Sequence, residues 1–229
     1  QQNRKLLRIS QETSDDINGN DKDHEVTLDE FIELIPSVIR NSNTNPSNQD
    51  NGSDDDPITK LFRRMKLSKD EQEKYTFLES NKNYTRNLIA TDHETYTLLL
   101  LCWNANKYSP IHDHPCDGCW MKVLRGTVNE KRYMNVPHVD GHNHYRGDHD
   151  HLVCTSDVYF TEGQDVFIKD SLGYHKIGND GDEASITLHL YSPPISKCRM
   201  WMNERSTSST QSHMCNFSEY GKKINHTNY

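Results

Sequence analysis

Three stretches of the chain concentrate side chains that hold metals or move protons. The first is His112-Asp113-His114-Pro115-Cys116-Asp117-Gly118-Cys119-Trp120, followed by Gly126. The second is Gly173-Tyr174-His175-Lys176-Ile177-Gly178-Asn179, and the third Thr187-Leu188-His189-Leu190-Tyr191. His112 and His114 are two apart, so a strand would present both to one face. A third histidine from a neighbouring strand, His175, would complete a three-nitrogen site. Such a site leaves coordination positions open, as a catalytic metal requires. In the third stretch Thr187, His189 and Tyr191 share one face and two leucines the other. A polar face on an otherwise apolar strand needs hydrogen-bonded partners. One reading is a local hydrogen-bond chain from Thr187 through His189 to Tyr191. Another is that this chain aims the Tyr191 hydroxyl at a bound substrate or oxygen, and the two are compatible.

Other readings of the cysteines are weaker. Half a structural zinc site at Cys116 and Cys119 needs a second closely spaced pair, and Cys198 and Cys215 lie too far apart. A thioredoxin-type pair needs a helix start after a strand, whereas Pro115-Cys116-Asp117-Gly118 reads as a turn. Five of the thirteen histidines (His138, His142, His144, His149 and His151) fall in one stretch with Asp140, Gly141, Gly147 and Asp148. Its composition favours a solvated loop or long hairpin over a second metal site.

The elements that must position these residues follow from pattern. Thr27-Leu28-Asp29-Glu30 is a capping box, and Leu28, Phe31, Ile32 and Ile35 recur with helical period. Pro36 is expected to end or kink that helix near Leu34, with Val38 and Ile39 resuming it. Residues 41–56 form a low-complexity linker, and residues 1–26 are polar. A second helix is expected from Pro57 to Met65, and a short turn from Lys69 to Lys74 behind the N-cap Ser68. From Tyr84 the pattern changes to short strands: 84–89, 96–103, 120–125, 127–133, 165–169, 175–177 and 184–191. No helical patterns intervene, so the fold class is mainly β, an antiparallel barrel or sandwich behind short N-terminal helices. The expected division is an N-terminal segment over 1–57, the barrel over 58–205, and a tail over 206–229 packing on the barrel. A chain of 229 residues with 32% hydrophobic residues supports one modest core. A net charge of −8 without a basic patch argues against nucleic acid. The longest apolar run, Leu98 to Trp103, is far too short to span a membrane. Six cysteines are too sparse for a disulfide scaffold, and the first thirty residues show no signal-peptide pattern. The expectation is a cytoplasmic monomer.

The spacing His-x-His, four residues, a ligand-like side chain, six residues, Gly is similar to the first signature of the cupin barrel, here with Cys119 where glutamate is usual. Gly173, His175 and Asn179 fit the second. With Cys119 in that place the chain resembles the cysteine dioxygenase family. The likeness includes Tyr84-Thr85-Arg86-Asn87-Leu88, Leu101-Cys102-Trp103, Asp170-Ser171-Leu172-Gly173-Tyr174-His175 and Leu188-His189-Leu190-Tyr191-Ser192-Pro193-Pro194, in order, over roughly residues 27–200. Thr187 stands where that family has serine and keeps the hydroxyl. Gly118 stands where animal members often have histidine, which is expected to open the site. Met214 corresponds to a late family methionine only across a gap and is left unassigned.

The resemblance implies a cupin-type barrel and one ferrous iron per chain on His112, His114 and His175. It implies Arg86 and Tyr84 on the substrate carboxylate, with Tyr191, Cys119, His189 and Thr187 as catalytic residues. It further implies a Cys119–Tyr191 thioether as a protein-derived cofactor and a cis peptide at Ser192–Pro193. The substrates would be free L-cysteine and dioxygen, and the product cysteine sulfinic acid. Alternatives are a dioxygenase of 3-mercaptopropionate or cysteamine, a non-catalytic cupin that binds a metal or ligand, and a metal-dependent isomerase. Cysteamine would leave Arg86 idle, mercaptopropionate-preferring members tend to lack both the arginine and the cysteine, and such isomerases usually keep the glutamate.

Overall fold

The apolar run Leu98 to Trp103 lies at the centre of the architecture because both its faces are covered. The computed structural model describes residues 24–44, 52–136, 151–206 and 208–224. In it the run forms β2 (Thr97–Trp103). Leu98, Leu100 and Cys102 face the N-terminal helices, while Leu99, Leu101 and Trp103 face the space between two sheets. A strand buried on both sides reads as continuous apolar sequence, not as alternation.

The first sheet runs in the order β14 (Lys222–Lys223), β13 (Ser218–Glu219), β1 (Tyr84–Thr91), β2, β10 (Ser185–Ser192), β5 (Gly118–Arg125) and β8 (Asp165–Ile168). The second runs β12 (Thr210–His213), β11 (Lys197–Trp201), β4 (Ile111–His112), β9 (Tyr174–Asn179), β6 (Thr127–Val136) and β7 (His151–Thr161), with β3 (Lys107–Tyr108) paired to β9. Pairing is antiparallel except where β13 joins β1. This is the mainly β, two-sheet architecture behind helices that the pattern predicts. The seven expected strands are all present, and the short β3, β4 and β11 to β14 are additional. So is β7, which the sequence conceals: Val153, Val158 and Tyr159 are exposed, and its register shifts against β6.

Two glycines of the barrel signature have conformational duties. Gly126 turns the chain between β5 and β6 at φ 79°, where a Cβ would lie 2.6 Å from Ser185 Oγ. Gly173 precedes β9 at φ 101°, where a Cβ would lie 2.5 Å from the Tyr133 carbonyl oxygen. Both backbones occupy a region that other residues avoid.

Among the described residues, three helices cover the outer face of the first sheet. Helix α1 spans Leu28–Thr44 and opens with the expected box: Thr27 N donates to Glu30 Oε2 at 2.9 Å, and Glu30 N to Thr27 Oγ1 at 3.3 Å. Of the two expected outcomes at Pro36, the helix does not end there but continues through Val38 and Ile39. An interior proline costs about 3 kcal/mol. Phe31, Ile35 and Ile39 flank it and are fully buried, each stabilising by about 1.5–3 kcal/mol, so packing outweighs the breaker. Helix α2 (Pro57–Arg64) is fixed at both ends. Asp56 caps its start by accepting from Ile58 N and Thr59 N, and Lys122 Nζ from β5 donates to the carbonyls of Phe62, Arg63 and Met65. Helix α3 (Lys69–Tyr75) carries a full capping box at Ser68 and Glu71. The stretch expected as a linker is therefore shorter than 41–56. Residues 41–44 continue α1 and buried Asp56 belongs to the packed body. Residues 45–51, the N-terminal residues 1–23 and the histidines from His138 to His149 lie outside the described residues. No helix among the described residues is long and apolar enough to cross a membrane.

Candidate metal centre and substrate pocket

His112 and His175 are register partners on β4 and β9. His114 is not on the strand, as its spacing suggested, but in the loop just beyond it. That loop is tied down by carboxylates. Asp170 Oδ1 accepts from His114 N at 2.6 Å, and buried Asp113 accepts from Arg199 N at 2.7 Å and Arg199 Nε at 2.5 Å. The three imidazoles then converge, with ring centroids 4.5–4.9 Å apart and one ligand atom from each within 4.8 Å of the others.

Hydrogen bonds fix which nitrogen each ring can offer. His112 Nδ1 lies 3.0 Å from the Pro110 carbonyl, which can only accept, so Nε2 is left for a metal. His175 Nδ1 lies 2.8 Å from Glu130 Oε1 on β6, which leaves its Nε2 free in the same way. His114 is 1% exposed, and neither of its ring nitrogens has a partner among the described residues. A buried imidazole without a hydrogen bond is costly unless something coordinates it. Burial holds all three below the usual histidine range, His114 and His175 well below, so the rings are neutral and suited to ligation. The residues present thus fit a divalent transition metal held by three nitrogens.

A cavity of about 230 Å³ opens on this cluster, walled by Tyr84, Arg86, Trp103, His112, His175 and Tyr191. It is smaller than the roughly 300–1,000 Å³ of sites for drug-sized molecules and suits a small substrate. Arg86, on β1, is 9% exposed and lies 5.6 Å from the centre of the Tyr191 ring. Its Nε has no hydrogen-bond partner among the described residues, and the groups that act on it most strongly are Tyr191, which hydrogen-bonds it, Tyr84 and Cys119, none of them a carboxylate. Tyr84 stacks on Trp103 at 4.6 Å, and burial raises its hydroxyl above the usual range.

On β10, Thr187, His189 and Tyr191 all point into the barrel and are buried. Thr187 Oγ1 lies 2.8 Å from His189 Nε2, as expected, but the line then runs to Cys119 Sγ, 4.0 Å from His189 Nδ1. His189 and Tyr191 meet as near-parallel rings with centroids 6.1 Å apart. Burial, reinforced by Arg86 and His112, brings His189 down to about 3. Burial also pushes the Tyr191 hydroxyl and the Cys119 thiol well up.

Cys119 and Tyr191 are register partners across β5 and β10. Neither Cys116 nor Cys119 joins a metal-binding cluster among the described residues. The Cys116 thiol donates to the Gly118 carbonyl at 3.4 Å and is pushed by burial to about 12.

The sequence model of the cysteine dioxygenase type I family matches residues 48–204. The chain belongs to that family. It is 26% identical to cysteine dioxygenase type 1 of Danio rerio over 198 residues, covering 86% of this chain and 89% of that protein. It is 31% identical to cysteine dioxygenase type 1 of Homo sapiens over 139 residues, covering 60% of this chain and 64% of that protein. Among solved structures, a protein with a double-stranded β-helix domain from Klebsiella pneumoniae aligns with a TM-score of 0.42 at 14% identity, covering 57% of this chain and 88% of that one. As a family member the chain is a thiol dioxygenase of cupin fold with a three-histidine site.

Within this frame some expectations need revision. Gly118 does not open the site. A Cβ there would run into the Phe167 ring and lie 2.8 Å from Trp120, on the helix-facing side of β5 away from the histidines. Met214, unassigned from sequence, lines the cavity, as does Cys198, whose thiol lies 3.6 Å from the Met214 sulfur. The Ser192–Pro193 peptide is cis. Glu130, Asp113, Asp170 and Trp103 are supporting residues to which sequence reasoning assigned no role. Asp113, Asp170 and Trp103 stood inside the segments that carry the family resemblance, and Glu130 carried no signal.

Proposed function

We propose that the protein adds both atoms of dioxygen to the sulfur of free L-cysteine, giving cysteine sulfinic acid, with ferrous iron on His112, His114 and His175. The observation that carries this reading is Arg86, a buried guanidinium with, among the described residues, an unpartnered Nε and no carboxylate beside it, in a small cavity that ends on three convergent histidines. A buried arginine without an anion is expensive. A substrate carboxylate resolves that cost, and the planar guanidinium fork fits it in two-point fashion.

With the carboxylate on Arg86 and the Tyr84 hydroxyl beside it, a molecule as short as cysteine would turn its thiol and amine towards the histidine cluster. Iron held there would supply the activation of dioxygen and of the thiol sulfur. The chain's own residues do the rest. Arg86 and Tyr84 orient the substrate, and Tyr191 presents its hydroxyl, kept protonated by burial, at the same cavity. The walls of β1, β2 and β10 exclude bulk water. A thioether between Cys119 and Tyr191 would fix that ring and remove a thiol able to compete for the metal. The reading keeps the sequence expectation of a monomeric, cytoplasmic enzyme, since the pocket residues it uses all lie on one chain. Cysteamine would leave Arg86 as an unpaired buried charge, which weighs against it as substrate.

The test is anaerobic loading with ferrous iron, followed by oxygen and L-cysteine, with oxygen uptake and product mass measured. 3-Mercaptopropionate and cysteamine are run in parallel. Selective sulfinate formation from L-cysteine is expected. Absence of turnover with every thiol, with iron bound at the three histidines, would sink the reading in favour of a binding or sensing cupin.

A further inference from the structure

Trp103 stands where the two halves of the pocket meet. Its ring stacks on Tyr84 with centroids 4.6 Å apart, and its Nε1 lies 2.8 Å from Thr187 Oγ1. From there the line continues to His189 Nε2 at 2.8 Å, and from His189 Nδ1 to Cys119 Sγ at 4.0 Å. Trp103, Thr187, His189 and Cys119 are all buried.

Donor counting gives this line a direction. An indole N–H only donates, so Thr187 accepts from Trp103. The Thr187 hydroxyl has one hydrogen, and His189 Nε2 is the acceptor placed to receive it. Were Nε2 itself protonated, Thr187 would accept twice and bury its own hydrogen without a partner. A neutral His189 with Nε2 accepting carries its hydrogen on Nδ1, the nitrogen that faces Cys119. The same wiring occurs on the opposite face of the sheet. There Trp120 Nε1 donates to Thr59 Oγ1 at 2.8 Å, and Thr59 Oγ1 donates to Asp56 Oδ2 at 2.7 Å. Its carboxylate end can only accept, which fixes the direction independently.

We infer that Trp103 is a positioning residue that locks His189 as its Nδ1–H tautomer, so that His189 presents a hydrogen-bond donor and not a base to the Cys119 sulfur. The thiol proton of Cys119 then cannot pass to His189. The sulfur is held as an acceptor opposite Tyr191, and Trp103 ties that arrangement to the Tyr84 side of the pocket through one ring. The kinetic consequence rests on the thiol dioxygenase reading above; the tautomer does not.

The test uses the full chain loaded with zinc and labelled with 15N-histidine. The His189 resonances are identified by their loss in His189→Gln. In the wild type and in Thr187→Ser, nitrogen shifts should report a hydrogen on Nδ1. In Trp103→Phe, which keeps an aromatic ring against Tyr84 but removes the donor, and in Thr187→Val, a mixture with the Nε2–H form is expected. In the iron enzyme Trp103→Phe should lower kcat by about tenfold at unchanged KM for L-cysteine, the size of one neutral hydrogen bond. A wild-type His189 protonated on Nε2, or an unchanged tautomer in Trp103→Phe, would overturn the inference. If Trp103→Phe fails to fold, the wild type and Thr187→Val still decide it. The nitrogen spectra do not depend on turnover, so an inactive wild type with His189 in the Nδ1–H form would count against the proposed reaction alone.

Discussion

Cys119 and Tyr191 face each other directly across β5 and β10, both fully enclosed in the barrel. Directly opposed residues on antiparallel strands hold their Cβ atoms about 4.5–5.5 Å apart, within reach of a sulfur and an aromatic ring. The register that opposes them depends on a shift between Ile186 and Thr187, without which Tyr191 would face another residue. The expected outcome is a thioether. Protein turned over aerobically with iron and L-cysteine should contain a fraction two hydrogens lighter, with the Cys119 and Tyr191 peptides joined. Tyr191→Phe should abolish it. Cys119 alkylated in every molecule of active, iron-loaded protein would refute the cross-link.

Arg86 offers a sharper test of substrate class. Its Nε is unpartnered and no carboxylate lies beside it among the described residues, so the proposed substrate carboxylate is the anion it would pair with. Charge-assisted bonds of this kind contribute roughly 1.5–3 kcal/mol. Arg86→Ala should therefore lower kcat/KM for L-cysteine by roughly a hundredfold, mainly through KM. Arg86→Lys should recover only part, since an ammonium lacks the planar fork. Steady-state oxygen uptake reads both. Equal KM values in the wild type and Arg86→Ala would remove Arg86 from substrate binding.

What was legible in the sequence was short-range. His112 and His114 announce themselves by spacing, His175 by the glycine and asparagine around it, and Thr187, His189 and Tyr191 by alternation. The supporting residues depend on pairings that spacing does not encode. Glu130 reaches His175 because β6 pairs with β9, and Trp103 reaches Thr187 because β2 pairs with β10. Gly118 was misjudged for a related reason. Alternation along β5 puts it on the face opposite Cys119, where Phe167 from β8 already fills the space. The helix continues past Pro36 because the packing of Phe31, Ile35 and Ile39 outweighs the local rule, and β7 is hidden because Val153, Val158 and Tyr159 face outward.

Asp92 sets a pH dependence of stability remote from the site. It closes the turn between β1 and β2, accepting from Glu94 N at 3.0 Å, Thr95 N at 2.7 Å and Tyr96 N at 3.2 Å. Burial opposes ionisation, but the Thr95 hydroxyl and these three backbone donors prevail and bring the acid down to about 2. The folded value lies below the unfolded one, so the unfolded chain binds more protons between them. Stability from this group is complete above about pH 4 and is lost as pH falls through about 2. Asp92→Asn should cost about 1–2 kcal/mol at pH 7 and little at pH 2. Urea unfolding of metal-free protein across that range checks it. An equal loss at both ends would mean the charge is irrelevant.

Glu130 is the group whose charge most directly reaches the metal centre. It is 2% exposed and divides its carboxylate between His175 Nδ1 at 2.8 Å and Arg132 Nε at 2.8 Å. Burial raises its pKa above the usual carboxylate range, and Arg132 offsets part of that rise. The three ligands are neutral, yet a carboxylate behind one of them fixes that ring's tautomer and makes its free nitrogen a stronger donor. Glu130→Gln keeps the shape and an acceptor oxygen for His175 but removes the charge. Metal affinity should fall about 10–100-fold, measured by competition with a chelator, while helix and strand content stay unchanged by circular dichroism. Glu130→Ala should fall further, since His175 would lose its partner as well as the charge behind it. An affinity in Glu130→Gln equal to the wild type would mean that Glu130 serves Arg132 and the packing of β6, and that the three histidines hold their metal without help.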